Sequence, residues 1–247
     1  MSEQSPPIKR RRGIYLLPNL FTTAALFAGF YAITAAINQR FELAAVAVFL
    51  AMVLDGMDGR VARLTNTQSE FGGEYDSMAD LISFGAAPAL VMYIWSLAGL
   101  GKLGWVAAFV HCAGAALRLA RFNTQIGTAD KRYFQGLPSP SAAAILAGFV
   151  WFCVEFGLDG GQVAFVGLGL SIMTGLLMVS NFRYYSFKDV DLRGRMPFVK
   201  AILVMLAFAV IFTNPPLMLF LLFSGYAVSG PVMTLFMLRR RRTERRA

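Results

Sequence analysis

Histidine occurs once in this chain of 247 residues, and cysteine twice. A single His111 excludes a multi-histidine metal site within one chain. Cys112 and Cys153 lie far apart inside apolar runs, fit no metal-ligand spacing and cannot build a disulfide scaffold. Charge is also scarce, at 15% of residues against about 25% in an average soluble domain. Acidic residues are the rarer sign, 14 against 23 Lys+Arg, for a net charge of +9. What is plentiful is apolar: 57% of residues are hydrophobic, whereas soluble domains average about 45–50%. The combination excludes an ordinary soluble globule, and the abundance of apolar residues excludes a disordered chain. A polytopic membrane protein remains, and its basic excess reads as loops that orient it rather than as a nucleic-acid surface.

A helix needs about 20 mostly apolar residues to cross the hydrocarbon. Eight stretches qualify, approximately 14–37, 41–62, 77–97, 103–122, 141–156, 163–181, 198–212 and 217–238. Gly- and Pro-containing turns separate them, such as Thr213-Asn214-Pro215-Pro216. An even number of spans puts the basic clusters 9–12 and 239–246 on one side, with 21 of the 23 Lys+Arg; only Arg40 and Lys102 fall opposite. Lys and Arg stay in the cytoplasm. The expected fold is therefore all-α with eight transmembrane helices and both termini cytoplasmic. A cytoplasmic tail (1–13) precedes a single transmembrane domain (14–238), and a basic cytoplasmic tail (239–247) follows. The stretch 14–37 is longer than a signal-peptide core, which favours an uncleaved first helix.

Six of the 14 acidic residues crowd into 55–80: Asp55, Asp58, Glu70, Glu74, Asp76 and Asp80. Asp55 and Asp58 follow the apolar run 43–54 at spacing i,i+3, and Asp76 and Asp80 open the third span at i,i+4. Each pair shares one helical face, and antiparallel neighbours can bring the faces together. Buried unpaired charges in a membrane are unfavourable by at least a few kcal/mol. A hard divalent cation with oxygen ligands, Mg²⁺ or Mn²⁺, would offset four carboxylates. Blander roles exist singly: Asp76 as a helix cap, Asp58 as an ion-pair partner of Arg63, Asp55 as a proton carrier in a transporter. The four together favour a metal site.

The pattern Asp55-x-x-Asp58-Gly59-x-x-Ala62-Arg63, eight residues, Gly72-x-x-x-Asp76-x-x-x-Asp80 resembles the signature of the CDP-alcohol phosphatidyltransferase family at every defined position. The resemblance covers about 18–140. It implies an integral membrane enzyme that moves a phosphatidyl or similar group from a CDP-linked donor to an alcohol and releases CMP. It implies Asp55, Asp58, Asp76 and Asp80 as ligands of a divalent cation, two ions in all, and Asp80 as general base. It places Gly59, Arg63 and Ser69, and Asn19 of the Pro18-Asn19 pair, against CDP-diacylglycerol.

The acceptor is suggested by the rest of the chain. Arg118-Leu119-Ala120-Arg121-Phe122-Asn123 closes the fourth span, and Arg118 and Arg121 share a face. Arginine grips carboxylates with two parallel hydrogen bonds. This stretch and Gly136-Leu137-Pro138-Ser139-Pro140 are similar to membrane-embedded bacterial phosphatidylserine synthases, as is the eight-span layout. The resemblance implies L-serine as acceptor, bound by Arg118, Arg121 and Asn123, in a bacterial inner membrane with membrane lipids around it, and it is compatible with a homodimer. Glycerol 3-phosphate, helped by Lys131 and Arg132, inositol phosphate and choline are the alternative acceptors. An ion or proton transporter lined by the Asp cluster is the alternative from another class.

Overall fold

The computed structural model describes residues 16–65, 67, 69–124, 133–185 and 198–244. Among these are eight helices: α1 (Leu16–Ile37), α2 (Phe41–Thr65), α3 (Glu70–Leu100), α4 (Lys102–Thr124), α5 (Ser139–Glu155), α6 (Ala164–Val179), α7 (Phe198–Thr213) and α8 (Pro215–Glu244). Each overlaps one expected span. By length and apolarity four can cross a membrane, namely Pro18–Ile37, Glu70–Leu100, Lys102–Thr124 and Pro215–Phe236, while α5 and α6 are shorter apolar helices. The tail 1–13, Lys131 and Arg132 lie outside the described residues.

Small side chains let the helices approach closely. Ala32, Ala36, Ala44, Ala45, Ala51 and Ala143 are wholly buried where α1, α2 and α5 meet. At the α4–α6 crossing Gly114 and Gly175 are in backbone contact, and a Cβ on either would collide with the other helix. Close backbone approach of this kind is how helices associate where water provides no hydrophobic drive.

Three features depart from expectation. First, α3 begins at Glu70 rather than 77. Ser69 caps it, its side chain accepting from Gly72 N at 3.0 Å, and Tyr75 bonds Thr23 of α1 at 2.9 Å. The polar, glycine-containing stretch 70–76 reads as loop in isolation; the cap and the contact with α1 make it helix. Second, α3 is not uniformly α-helical. It widens into π turns at Leu81–Ala86 and Tyr93–Leu97, which frees carbonyls for other partners. Third, the chain is not purely helical. β1 (Tyr133–Gln135) and β2 (Arg183–Tyr185) form an antiparallel ribbon with Phe134 opposite Tyr184. Two three-residue strands far apart in sequence leave no periodic signature. Tyr184 is buried, and burial pushes its hydroxyl up to about 12, so it stays protonated and donates to Ala227 O of α8 at 3.0 Å.

Candidate active site

One end of the bundle gathers the start of α1, the end of α2, the start of α3, the end of α4 and the start of α5. Thr22 of α1 donates to Asp58 Oδ2 of α2 at 2.7 Å. Asn123 at the end of α4 bonds Ser77 of α3 at 3.1 Å, and Arg118 of α4 reaches Ser139 of α5 at 2.9 Å. The first link ties α1 to α2 and the third ties α4 to α5, while the second, with the Tyr75–Thr23 bond, holds α3 between α4 and α1.

The two acidic pairs converge. Asp55, Asp76 and Asp80 each offer an oxygen within 4.8 Å of the other two. Asp76 also faces Asp58, and its Oδ1 is buried without a hydrogen-bond partner. Three carboxylates at this separation repel, and an orphaned buried oxygen is unfavourable by about 1–3 kcal/mol or more. A hard cation answers both problems, because it takes oxygen ligands and neutralises their charge. The residues present therefore fit a divalent ion. Asp58 is not one of the three, but its carboxylate meets Asp76, and Thr22 engages only its Oδ2. Asp76 is two turns inside α3, and Ser69 holds the capping position, so helix capping does not account for Asp76.

A cleft of about 190 Å³ adjoins the carboxylates. Asn19, Gly59, Arg63 and Ser69, the four residues expected against the CDP-linked donor, all line it, together with Asp58 and Asp76. The Arg63 guanidinium lies over Gly59. A Cβ on Gly72 would sit 3.1 Å from Ser69 Oγ and 3.5 Å from Asn19 Oδ1, so the absence of a side chain there keeps the cleft open between α1 and α3. The combination of a basic side chain, open backbone and neighbouring carboxylates suits a pyrophosphate carried on a divalent ion.

The residues expected on the acceptor side separate into different roles. Arg118 lies within electrostatic reach of Asp80. Arg121 does not share that role. Its guanidinium donates to the carbonyls of Gln135 (2.9 Å), Val179 (3.1 Å) and Ser180 (3.2 Å) and to Asn181 Oδ1 (3.3 Å). It satisfies the unpaired carbonyls at the end of α6 and ties them to β1. Asn123 braces Ser77, one residue from Asp76, and so positions α3.

His111 is fully buried between Thr174 Oγ1 (2.8 Å from Nδ1) and Phe84 O (3.2 Å from Nε2). A carbonyl only accepts, which assigns a proton to Nε2. His111 thus supports the π turn that follows Asp80. Sequence reasoning missed Thr22 and Tyr226, the latter within electrostatic reach of Arg118, and gave Ser139 no role of its own within the stretch 136–140. Thr22 had a local signal, since it shares a face with Asn19. Ser139 and Tyr226 join the site only through the fold.

Comparison with known proteins agrees with this geometry. Residues 15–231 match the family model of CDP-alcohol phosphatidyltransferase. A CDP-diacylglycerol–serine O-phosphatidyltransferase of Helicobacter pylori is 36% identical over 225 residues, covering 91% of this chain and 93% of the relative. One from Mycobacterium tuberculosis is 37% identical over 175 residues, 66% of this chain and 60% of that protein. One from Saccharomyces cerevisiae is 37% identical over 155 residues, 56% and 54% of the two chains. With the match spanning nearly the whole bundle and the aspartates converging beside an open cleft, the chain belongs to the CDP-alcohol phosphatidyltransferase family.

Proposed function

We propose that this protein transfers the phosphatidyl group of CDP-diacylglycerol to the hydroxyl of L-serine, forming phosphatidylserine and releasing CMP. The observation that carries the reading is the convergence of Asp55, Asp76 and Asp80 beside a cleft lined by Asn19, Gly59, Arg63 and Ser69. The names of the similar proteins support serine as acceptor. The setting is a bacterial inner membrane, with the eight helices as eight spans, both termini and the site on the cytoplasmic side. The distribution of Lys and Arg supports that orientation.

Asp55, Asp76 and Asp80, with Asp58 adjacent, would hold two divalent ions, Mg²⁺ or Mn²⁺. When bound, such ions draw negative charge from the pyrophosphate and stabilise the departing phosphate. Arg63 adds a fixed positive charge in the donor cleft. Asp80 accepts the proton of the serine hydroxyl as its oxygen attacks the β-phosphorus of the donor, the one that carries the diacylglycerol. A phosphorus–oxygen bond to serine forms, the bond to CMP breaks, and CMP leaves with the electron pair. Direct displacement needs no covalent enzyme intermediate.

The test is CMP release by the purified protein with CDP-diacylglycerol and a divalent ion, offering L-serine and glycerol 3-phosphate separately. Release with serine, lost in Asp80→Asn, is the expected result. Release with glycerol 3-phosphate alone would retain the family chemistry and refute the serine acceptor. No release with any alcohol would favour transport through the Asp cluster.

A further inference from the structure

Pro88 is buried inside α3, four residues beyond Phe84. In an unbroken α-helix the Phe84 carbonyl takes the N–H of residue 88, and proline has none. The proline ring also presses on that carbonyl, and opening the turn relieves the contact. The opening lies just before it: α3 runs in π turns over Leu81–Ala86, and the Ala87 N–H donates to Ile82 O, five residues back. The carbonyl deprived of its α-helical donor is the one that meets His111, 3.2 Å from Nε2. The replacement donor comes from another helix, α4.

His111 is itself held. It is wholly buried, and with the proton on Nε2 its Nδ1 is an acceptor. Thr174 Oγ1 of α6 lies 2.8 Å from Nδ1 and donates to it. The same hydroxyl is close to Leu170 O and Ser171 O, carbonyls that the ladder of α6 already serves. Its proton is therefore available to the imidazole. Thr174 orients the ring, and the ring supplies the hydrogen bond that Pro88 withholds.

The π turn governs where the acidic half of α3 faces. One extra residue in a turn rotates the helix on one side of it by about 100° relative to the other. The half beyond the acidic segment is locked in place. Phe84, Ala87, Val91 and Met92 are wholly buried. Ser83 donates to Ala25 O of α1 at 3.1 Å, and a Cβ on Gly29 of α1 would strike Ser83. The turn thus sets the direction of Glu70–Asp80, the segment that carries Asp76 and Asp80.

We propose that His111 is a positioning residue for the aspartate cluster. By holding the proline-opened π turn, with Thr174 orienting its ring, it turns Asp76 and Asp80 towards Asp55. The proposal rests on the reading of these carboxylates as the cation site of a transferase, and it adds to that site a residue of another helix outside the motif.

The experiment takes three measurements on the full chain in detergent: thermal unfolding, Mn²⁺ binding followed by the electron paramagnetic resonance of the free ion, and CMP release from CDP-diacylglycerol and L-serine. Thr174→Val is nearly isosteric and removes the proton that orients the ring. It is expected to melt close to the wild type, and to weaken Mn²⁺ binding and lower kcat by about tenfold or more, the range for losing a support behind metal ligands. Thr174→Ser, which keeps the hydroxyl, restores both. His111→Leu deprives Phe84 O of its outside donor and lowers the melting temperature. Adding Pro88→Ala returns an N–H to residue 88 and lets an α-helical bond close on Phe84 O. The double variant is expected to regain stability but neither Mn²⁺ binding nor CMP release, because the closed turn aims Asp76 and Asp80 elsewhere.

A double variant that regains Mn²⁺ binding and CMP release together with stability would overturn the proposal, since His111 would then do no more than satisfy a carbonyl. Wild-type Mn²⁺ binding in Thr174→Val would overturn it too. If the leucine variants do not fold, the two Thr174 variants decide. If the wild-type protein binds Mn²⁺ but releases no CMP with serine, the serine reading fails and the Mn²⁺ measurements still decide on His111. If the wild-type protein binds no Mn²⁺, the cation site and the positioning role fail together.

Discussion

At Asp76 one buried carboxylate oxygen has no hydrogen-bond partner, and Asp55 and Asp80 each bring an oxygen within 4.8 Å of an oxygen of the Asp76 carboxylate. Removing one charge from such a group eases repulsion and weakens cation binding at once. Asp76→Asn is therefore expected to fold at least as well as the parent and to lose activity by about 10²-fold or more, since metal ions supply several kcal/mol of charge stabilisation. Thermal unfolding and CMP release on one preparation separate the two effects. Chelation by EDTA should abolish release by the wild-type protein, and added Mg²⁺ or Mn²⁺ should restore it. At Gly72 the missing side chain leaves room beside Ser69 and Asn19, and Gly72→Ala would press on Ser69. It should raise KM for CDP-diacylglycerol more than KM for the acceptor. Steady-state kinetics with each substrate varied in turn check this.

Elements set which side chains meet. The end of α6, the ribbon and α4 are joined by Arg121, and at the ribbon's edge Gly136 adopts a positive φ of 78° with Met178 O and Arg121 close above it. Gly136→Ala combines backbone strain with collision and should destabilise the fold by about 2 kcal/mol or more. Arg121→Ala should likewise lower the melting temperature in detergent. An effect on serine binding alone, with no loss of stability, would contradict the clamp described for it. Much at this scale was legible in advance. Each described helix overlaps an expected span because hydrophobic length is read directly from residue order. The start of α3 was not legible, because Ser69 becomes a cap only when Gly72 N turns towards it. The ribbon was not legible either, because Phe134 and Tyr184 pair across two intervening helices.

Across the whole molecule, the carboxylates could be found from sequence because both pairs lie at helical spacing on consecutive helices. The partition among basic residues could not. Arg118 and Arg121 share a face in a helical projection, yet one lies near Asp80 and the other grips carbonyls of α6. Only the packing of α4 against both α3 and α6 separates them. The topology proposed for the whole chain has its own test. In a background lacking Cys112 and Cys153, a cysteine at Ser2 or Ala247 should react with an impermeant maleimide only after the inner membrane is breached. A cysteine at Asp159 should react in intact spheroplasts. Labelling of both classes in intact spheroplasts would refute the even number of spans.

The aspartates and most of the donor cleft come from one contiguous stretch of the chain, whereas Arg118, Ser139 and Tyr226 are scattered over three later helices. On the proposed reading, most of the donor chemistry is inherited as one block of codons, with Asn19 outside it, and a change of acceptor would call for coordinated replacements at distant points of the gene. An engineer seeking a new head group would leave the block untouched and build the library on α4, α5 and α8.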